Sequence, residues 1–514
     1  MNPVPSPSAP KAGRTTASSA HSHWAGHQPL SHPEIRRIVF GIMLSMFLGA
    51  LDQTIVATAL PTIGRSFGAA EHLSWIVTAY LLTSTAVTPL YGKLSDMYGR
   101  RRMVLIAITI FMAGSLAAAL STNMLMLILA RGVQGLGAGG LLPLAQTIVG
   151  DVVLPKERGR YQTYLSVMWM TAAISGPILG GFLSQYFHWS VIFWINIPLG
   201  LLAFLMANTV LKRLPSPARP HRLDILGSVL MIAAAVSLLL ALTFGGVRFP
   251  WLSGEIIGLF AASAVLWLLF VVRLRTAPEP FLPLTMLSNQ VVRTGTLLSA
   301  CNLGCVIGLT IFMPLYFNLV MGLSSGFAGL SLIPLLVVSN IGAAIAGRGL
   351  GYFHHYKRIP MAGLAVSVLA LISLTIDPQQ SLTSVLIHLG AVGFGIGTVY
   401  PVATVAVQNA VPRHQLGIAT GTLNFFRALF AAIIVAVLGA IILGGLNVKG
   451  GGAQVAEVLH ASGSSAELAG VFRWVFAACG LVLGAALFWL VLMEERPLPG
   501  RADIPVAAVP PVAD

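Results

Sequence analysis

The sequence has few charged residues. Only 9% of its 514 residues are Asp, Glu, Lys or Arg, whereas soluble domains carry roughly 25%. So small a charged fraction does not cover the exterior of a water-soluble chain of this length, which excludes a soluble globular protein. Hydrophobic residues make up 56% of the chain. They occur in runs of about twenty, the length of a helix that spans the hydrocarbon core of a bilayer.

Features of several other protein classes are absent as well. The chain has three cysteines, too few for a disulfide framework or a metal site, and Cys301 and Cys305 are interpreted as packing residues in an apolar run. No glycine loop of the nucleotide-binding type and no His/Glu pair within a span occurs, so we expect neither an enzyme nor a bound metal or other cofactor. The net charge of +14 is spread over short loops, which argues against nucleic acid.

The apolar runs predict fourteen membrane-spanning helices, an all-α polytopic membrane protein. A backbone inside lipid must satisfy its own polar groups, so each run is expected to be a helix. No alternating ten-residue segments typical of a membrane β-barrel are found. The predicted spans are 38–60, 73–93, 103–121, 124–150, 160–183, 190–211, 224–244, 255–274, 294–320, 327–348, 359–377, 382–411, 417–445 and 470–492.

Basic residues set the orientation of these helices. Of the 30 Lys and Arg residues, 24 lie in alternate loops and in the two tails, whereas the intervening loops hold Arg65, Arg248 and Lys449. By the positive-inside rule the first group is cytoplasmic, so both ends of the chain are expected in the cytoplasm. An error of one span would destroy the alternation downstream, and the alternation persists to the last loop.

The spacing of the spans divides the chain into parts. Two long basic loops bracket two helices, which predicts two six-helix bundles with a two-helix insert, an arrangement typical of rocking transporters with a central site. The residues before the first span lack a hydrophobic stretch, so we expect a disordered tail and no cleavable signal peptide. The predicted parts are a cytoplasmic tail at 1–37, a first bundle at 38–211, a linker with the extra helices at 212–293, a second bundle at 294–493 and a cytoplasmic tail at 494–514.

The loop after the second span has the sequence GKLSDMYGRRR at residues 92–102. It resembles the signature between the second and third helices of the major facilitator superfamily. Glycines permit a tight turn, and an aspartate beside arginines can form a charge-assisted latch against the other bundle. An ordinary cluster of stop-transfer charges is the alternative. The residues assigned to the latch are Gly92, Asp96, Gly99, Arg100 and Arg101.

Two further motifs resemble the same superfamily. The fourth span contains RGVQGLGAGG from Arg131 onward, similar to a fourth-helix motif in which a buried arginine serves in proton coupling. The fifth span carries Gly176, Pro177, Gly180 and Gly181, similar to the motif of the antiporter branch, in which proline and close-packed glycines shape a kinked interface. Helix packing alone is the alternative interpretation of these glycines.

The first span has the sequence LDQTIVATALP at residues 51–61. It is similar to the first helix of the fourteen-helix drug:proton antiporters, the EmrB/QacA type, and the stretch from Arg413 to Arg427 resembles that family near its thirteenth helix. The resemblance covers about residues 38–493 and implies the major facilitator fold. The counterpart of the latch motif in the second half lacks the aspartate, so a symmetric second latch is not expected.

Asp52 is the carboxylate that we place well inside a span, and Arg131 is a cation inside another span. Asp52 precedes Pro61 by nine residues and Arg131 follows Met124 by seven. At about 1.5 Å per residue they lie about 13 and 10 Å from the outer edge, so both can share one membrane level. We hypothesise that Asp52 carries the proton and Arg131 tunes it, since burial disfavours an ionised carboxyl group and a nearby arginine favours it. A permanent structural ion pair is the alternative.

Polar and aromatic residues inside spans are candidates for a substrate cavity, since drug sites combine apolar walls with a few polar groups. For any one of them, contact between helices is the competing interpretation. The candidates are Gln53, Gln134, Trp169, Asn302, Tyr316 and Asn424.

Together these features predict a proton-coupled antiporter that exports amphipathic small molecules, a multidrug efflux protein, across the cytoplasmic (inner) membrane by alternating access. A narrow-specificity exporter and a proton-coupled importer of a metabolite are the alternatives, and the antiporter-type fifth helix argues against the importer. The expected partners are the lipid bilayer, the substrate and protons, with the proton gradient in place of a cofactor. Relatives in Gram-negative cells often use a periplasmic adaptor protein, so an adaptor is a further candidate partner.

Overall fold

The computed structural model describes residues 32–67, 72–213, 223–353, 355–445 and 465–499. Within these residues, fourteen helices are long and apolar enough to span a membrane, which confirms the predicted number. The spans are α1 (His32–Phe67), α2 (Leu73–Tyr98), α3 (Arg100–Ala119), α4 (Met124–Val152), α5 (Pro155–Tyr186), α6 (Val191–Val210), α7 (Ile225–Phe244), α8 (Gly254–Thr276), α9 (Gln290–Leu319), α10 (Ile333–Tyr352), α11 (Arg358–Ile376), α12 (Leu382–Asn409), α13 (Leu416–Gly445) and α14 (Ser465–Leu492).

Shorter helical segments accompany the spans. Span α6 is interrupted at Ile195, so it consists of one short and one long helical piece. The other short segments are Leu211–Arg213 after α6, Leu284–Ser288 before α9, Ser325–Leu330 before α10 and Arg413–Gln415 before α13.

Apolar composition explains why these segments are helices. The best 18-residue window of each span has a mean hydropathy between 1.3 and 2.6 and holds at most two charged residues. Backbone N–H and C=O groups find no water in such surroundings, so they must bond within the helix. Pro89, Pro143 and Pro314 lie inside helices, which membrane proteins tolerate because neighbouring groups satisfy the freed carbonyls.

The start of α1 differs from the predicted one. The helix begins at His32, six residues early, because Pro33 suits the first turn through its fixed φ and Glu34 interacts favourably with the helix dipole. The disordered tail predicted at 1–37 therefore overlaps α1. Residues 1–31 of that tail lie outside the described residues.

Other predicted segments are described only in part. Residues 214–222 of the basic linker and residues 446–464 between α13 and α14 lie outside the described residues, and the predicted C-terminal tail is described as far as residue 499. Its first residues lie against the cytoplasmic end of α11. There the backbone N–H of Lys357 donates a hydrogen bond to Glu495 at 3.1 Å.

Helices α1–α6 and α9–α14 each enclose an apolar core. Ile42, Phe111 and Leu144 are fully buried in the first group, and Leu389 and Phe476 in the second. Because lipid is as apolar as these side chains, close packing between helices stabilises each group more than the hydrophobic effect does. We refer to α1–α6 as the first bundle and to α9–α14 as the second bundle.

The remaining pair, α7 and α8, packs beside both bundles. The Ser263 hydroxyl of α8 donates to the carbonyl of Ala234 in α7 at 2.9 Å, which joins the two helices. Trp267 of α8 stacks on Phe426 of α13 with ring centroids 6.2 Å apart. Leu90 of α2 packs against the apolar cluster that includes Phe270 of α8 and Phe425 of α13. The pair therefore lies at the edge of the interface between the bundles.

The two bundles approach each other closely in their cytoplasmic halves. Gly92 of α2 faces Gly417 of α13, and Gly159 of α5 faces Gly347 of α10. At each of these positions a Cβ atom would overlap the opposing backbone, so only glycine permits this separation. The hydrogen bonds identified between the bundles also lie in these halves. The two bundles are therefore in direct contact on the cytoplasmic side.

The orientation of the spans can be tested at the two ends of α9. Ser288 and Ser324 are exposed on opposite sides of the membrane, and Ser→Cys is nearly isosteric. We expect a membrane-impermeant maleimide added to intact cells to label Ser324→Cys and to leave Ser288→Cys unlabelled until the membrane is permeabilised. The three native cysteines lie within spans and serve as an unlabelled background. Labelling of Ser288→Cys in intact cells would reverse the assigned orientation.

Candidate functional site

Asp52 of α1 and Arg131 of α4 form an ion pair in the interior of the first bundle. Arg131 Nη1 donates to Asp52 Oδ2 at 2.6 Å. The two side chains are 1% and 0% exposed for Arg131 and Asp52. Each charge, buried so fully, would cost several kcal/mol of solvation without its partner. The two residues are thus in direct contact, which is consistent with the common depth in the membrane that the sequence predicts for them.

Helix α2 holds the arginine from another side. Arg131 Nε donates to the carbonyl of Ile76 at 3.3 Å, and the guanidinium lies 4.2 Å from the ring centroid of Tyr80. Tyr80 donates to the carbonyl of Gly49 in α1 at 3.2 Å. Helices α2 and α4 come this close because Gly135 has no side chain. A carboxylate, a carbonyl and an aromatic face therefore fix the position of the guanidinium.

Two amide side chains complete the surroundings of Asp52. Gln134 Nε2 and Asn196 Nδ2 donate to Asp52 Oδ1 at 2.8 and 2.7 Å. Both amides also donate to the Ser115 hydroxyl of α3, at 2.6 and 3.0 Å. The carboxylate accepts hydrogen bonds from α4 and α6, and Ser115 ties those donors to α3. Four helices of the first bundle thus converge on one ionised group.

The sequence identifies the charges of this site but not their amide partners. Gln134, predicted for the substrate cavity, is fully buried in the network of Asp52. Asn196 and Ser115 are absent from the predicted site residues. Each is a polar residue in an apolar span, so the hydropathy pattern could have marked it as a candidate. The helix face on which a polar residue meets Asp52 is a property of packing, which the pattern of one span does not specify.

Two further cavity candidates join helices within the second bundle. The hydroxyl of Tyr316 donates to the carbonyl of Pro378 at 2.6 Å, and its ring is fully buried among other aromatic rings. Asn302 Nδ2 donates to the carbonyl of Ile396 at 3.1 Å. Both contacts correspond to the competing interpretation, helix packing.

Gln53 and Trp169 lie in the first bundle and are half-buried. Trp169 of α5 packs against the buried cluster of Ala50, Leu51 and Ala172. The side chains of these two residues are partly accessible, so among the cavity candidates of the first bundle they are the ones that a ligand could contact.

The predicted latch joins the bundles at the cytoplasmic surface. The carboxylate of Asp96 accepts hydrogen bonds from the backbone N–H groups of Gly417 at 3.0 Å and Ile418 at 2.8 Å, at the start of α13. Arg100 Nη1 lies 2.5 Å from Asp96, and Arg100 Nε donates to Asp151 of α4 at 2.8 Å. A carboxylate at a helix N-terminus is stabilised by the N–H groups and the helix dipole.

The other latch residues have different positions. Gly99 ends α2 with a φ of 93°, a conformation that L side chains rarely adopt, and so makes the turn into α3. Gly92 allows the close approach of Gly417. Arg101 points away from the second bundle, and its Nη2 donates to Asn208 of α6 at 2.5 Å. Arg101 therefore connects α3 to α6 within the first bundle.

The glycine and proline motif of α5 faces α1 in part. A Cβ atom at Gly176 would overlap the hydroxyl of Thr54, and one at Gly180 would overlap a second threonine one turn further along α1. Gly181 has open space where a side chain would extend, and Pro177 is exposed. Two of the four residues therefore set the close packing of α1 and α5.

A set of polar side chains joins the bundles above the latch. Gln146 of α4 accepts a hydrogen bond from Asn424 of α13 at 2.6 Å and donates to the hydroxyl of Tyr400 in α12. Gln408 donates to the backbone carbonyl of Gln146 at 3.1 Å. Arg427, one turn from Asn424, donates to its side-chain oxygen at 2.7 Å. The cavity candidate Asn424 thus lies at the interface between the bundles, where its amide nitrogen donates to Gln146 and its amide oxygen accepts from Arg427.

Among the described residues, no group of three or more His, Cys, Asp and Glu side chains is suited to hold a metal ion. The three cysteines are free, and the thiol of Cys305 donates to the carbonyl of Cys479 at 3.5 Å. That contact packs α9 against α14.

The sequence resembles known transporters over most of its length. Residues 42–436 match the profile of the Major Facilitator Superfamily. Multidrug transporter protein MdtP of Bacillus subtilis (strain 168) is 34% identical over 408 residues, which cover 79% of this chain and 74% of the relative. Multidrug resistance protein 3 of the same organism is 31% identical over 406 residues, which cover 79% of each chain.

The fold resembles solved transporter structures. The crystal structure of the human organic anion transporter MFSD10 (TETRAN) superposes with a TM-score of 0.63 at 18% identity, covering 90% of this chain and 100% of that one. At this identity the likeness concerns the fold alone. With a profile match over more than half of its length and relatives above 30% identity, the chain belongs to the Major Facilitator Superfamily and is a membrane transporter rather than an enzyme.

Proposed function

We propose that this transporter is a proton-coupled antiporter of the EmrB/QacA type that exports amphipathic small molecules across the cytoplasmic membrane. The observation that carries the proposal is the carboxyl group of Asp52, fully buried in the first bundle and bonded to Arg131. An ionisable group inside a span is expensive and is a candidate for carrying a proton. The names of the two bacterial relatives, a multidrug transporter and a multidrug resistance protein, support drugs as substrates.

The hydrogen bonds around Asp52 suit two protonation states. The ionised carboxylate accepts from Arg131, Gln134 and Asn196. A protonated carboxyl group must donate one hydrogen bond. The buried Oδ1 atom of Asn196 has no partner among the described residues, so rotation of that amide supplies an acceptor. Protonation also removes the counter-charge of Arg131 and weakens the contact between α1 and α4. We assign to this step the link between proton binding and movement of the first bundle.

Replacing Asp52 distinguishes a proton carrier from a permanent ion pair. In energised inside-out vesicles, we expect lipophilic dyes to release lumenal protons with the native protein and to release none with Asp52→Asn. Asparagine carries no exchangeable charge but keeps an acceptor oxygen for Arg131, so energy-independent substrate exchange persists. The free energy of unfolding is expected to fall by up to about 3–5 kcal/mol, because Arg131 loses its counter-charge.

The matched control is Glu255→Gln, which removes an exposed carboxylate at the start of α8 and is expected to behave as the native protein. Full proton release by Asp52→Asn would contradict the proposed role. Loss of exchange and of folded protein together would favour the permanent ion pair. A response to a single metabolite in a broad panel would favour the narrow-specificity exporter, and uptake with the gradient would favour the importer.

We propose that the latch holds the cytoplasmic side closed and opens once in each transport cycle. Asp96 belongs to the first bundle, whereas the N–H groups of Gly417 and Ile418 that donate to it belong to the second. Rocking of residues 38–211 against residues 294–493 would therefore separate these atoms. Water at the cytoplasmic surface can replace the broken hydrogen bonds, so the contact is reversible.

The substrate would lie between the bundles, above the latch. We propose Gln53 and Trp169 as contacts for it, because both stay partly accessible, and Gly176 and Gly180 as the residues that set the α1–α5 wall. The proton gradient is the proposed energy source, with no cofactor. The bilayer, the substrate and protons are the proposed partners, and a periplasmic adaptor is a further one.

Asp96→Asn tests the latch. Hydrogen bonds to a charged group contribute about 1.5–3 kcal/mol each, so losing the charge is expected to raise the open-to-closed ratio at least about tenfold. The measurement is the distance between spin labels at Arg102→Cys and Arg293→Cys, on the cytoplasmic ends of α3 and α9, with the native cysteines replaced. We expect a larger population at long distance.

Asp224→Asn provides a matched control for the latch variant. Asp224 also caps a helix, at Gly227 of α7, and pairs with Arg273 at 3.0 Å, but it does not join the two bundles. Its substitution is expected to leave the distances between the labels unchanged. Equal distance distributions for Asp96→Asn and the parent protein would remove the latch from the mechanism.

A further inference from the structure

Arg427 is a cation inside a span without a carboxylate partner among the described residues. It lies eleven residues after Leu416, the first residue of α13. At about 1.5 Å per residue this is about 16 Å from the cytoplasmic end, close to the middle of a hydrocarbon core about 30 Å thick. Its neutral neighbours are Asn424, which accepts from Nη2 at 2.7 Å, and the ring of Tyr400, 5.2 Å from Cζ.

The hydrogen bonding of Arg427 is incomplete. Its Nε atom is buried and has no hydrogen-bond partner in the part of the chain that the structure describes. Arg131 provides the comparison, since its charge is neutralised by Asp52 at 2.6 Å. An unpaired cation at the centre of a bilayer is unfavourable and marks a functional site by default. The depth of Arg427 excludes an anionic lipid headgroup as its regular counter-charge, because headgroups lie at the membrane surface.

We propose that Arg427, together with Tyr400, binds a carboxylate or another oxyanion carried by the transported molecule. The inference rests on the proposed function, because it takes the substrate to be amphipathic. It adds that the polar end of the substrate carries a negative charge. Arg427 offers the free Nε–H and a guanidinium fork, which suits a planar carboxylate. Tyr400 can donate a further hydrogen bond.

The apolar end of such a substrate also has a surface nearby. Phe430 lies three residues after Arg427, on the same face of α13, and its side chain is 36% exposed. Phe430 stacks on Phe426 with ring centroids 6.2 Å apart, which extends the aromatic surface along the helix. A charged group at Arg427 with an apolar body along this surface describes an amphipathic anion.

The site is connected to the closure of the cytoplasmic side. Asn424 and Tyr400, the neighbours of Arg427, both form hydrogen bonds with Gln146 of the first bundle. An anion that binds Arg427 competes with the side-chain oxygen of Asn424 for the guanidinium. Binding therefore changes one of the groups that hold α4 against α13, which places the anion site where a substrate can influence the bundle contact.

The test compares a charged probe with a neutral one of the same shape. A dansyl-labelled undecanoic acid and its primary amide are added to the full-length protein in phosphatidylcholine nanodiscs, at a pH where the acid is ionised. Energy transfer from tryptophan to dansyl reports binding, and empty nanodiscs correct for partition into lipid. We expect the acid to bind at least about tenfold more tightly than the amide, the range for a charge-assisted hydrogen bond.

Variants of Arg427 show whether the preference comes from this residue. Arg427→Gln should remove the preference for the acid and leave the affinity for the amide within about twofold, and Arg427→Lys should retain part of the preference. Arg473→Gln removes an exposed arginine of α14 and should change neither affinity. Equal binding of acid and amide to the native protein, binding of neither, or a full preference in Arg427→Gln would overturn the proposal.

This result is separate from the proposed proton coupling. The binding assay uses no gradient, so it succeeds or fails independently of Asp52. If Asp52→Asn retains proton release while Arg427→Gln loses the preference for the acid, the proton proposal fails and the anion site stands. If the proton results hold and the acid has no advantage, the antiporter stands and the anion site fails.

Discussion

The burial of Asp52 and Arg131 inside the membrane is the constraint on which the first bundle depends. Two opposite charges without access to water must be in contact, and this contact fixes α1 and α4 at a common level. Three further helices contribute to this site: Asn196 donates to Asp52, the ring of Tyr80 lies against the guanidinium of Arg131, and Ser115 accepts from the amide of Asn196. Apolar side chains, which resemble lipid, give helices little preference for one register. The polar network supplies that preference.

Asp96 shows the same chemistry at the membrane surface. Its carboxylate joins the two bundles through the first N–H groups of α13, and within the first bundle it pairs with the guanidinium of Arg100. Water near the cytoplasmic surface can replace these bonds, whereas none is available to Asp52 in the closed structure. The depth of a charged group in the membrane therefore decides whether its contacts persist or exchange. This difference supports the proposed roles of Asp52 as a proton carrier and of Asp96 as a contact that opens.

Sequence reasoning succeeds where composition or depth alone decides the outcome. Hydropathy and alternating charge give the fourteen spans, and counting residues gives the common level of Asp52 and Arg131. It fails where the neighbour of a helix face matters, because a polar residue such as Gln134 suits a cavity and an ion-pair network equally. Asn196 bonds to Asp52 because α6 turns the face that carries Asn196 towards α1. The sequence does not reveal this orientation of α6. Hydropathy also starts α1 too late, because its polar first turn extends beyond the apolar run.

The contrast between Arg131 and Arg427 bears on the direction of coupling. Asp52 neutralises Arg131 in the structure. In the proposed mechanism a proton on Asp52 ends that neutralisation, whereas Arg427 is neutralised when an anion binds. An anion at Arg427 stabilises states in which the arginine is withdrawn from water more than states in which water reaches it. A proton on Asp52 acts in the opposite sense, since it leaves Arg131 unbalanced and favours access of water. On this proposal, the proton and the anionic substrate favour opposite states of the transporter, which is the thermodynamic condition for exchange rather than co-transport.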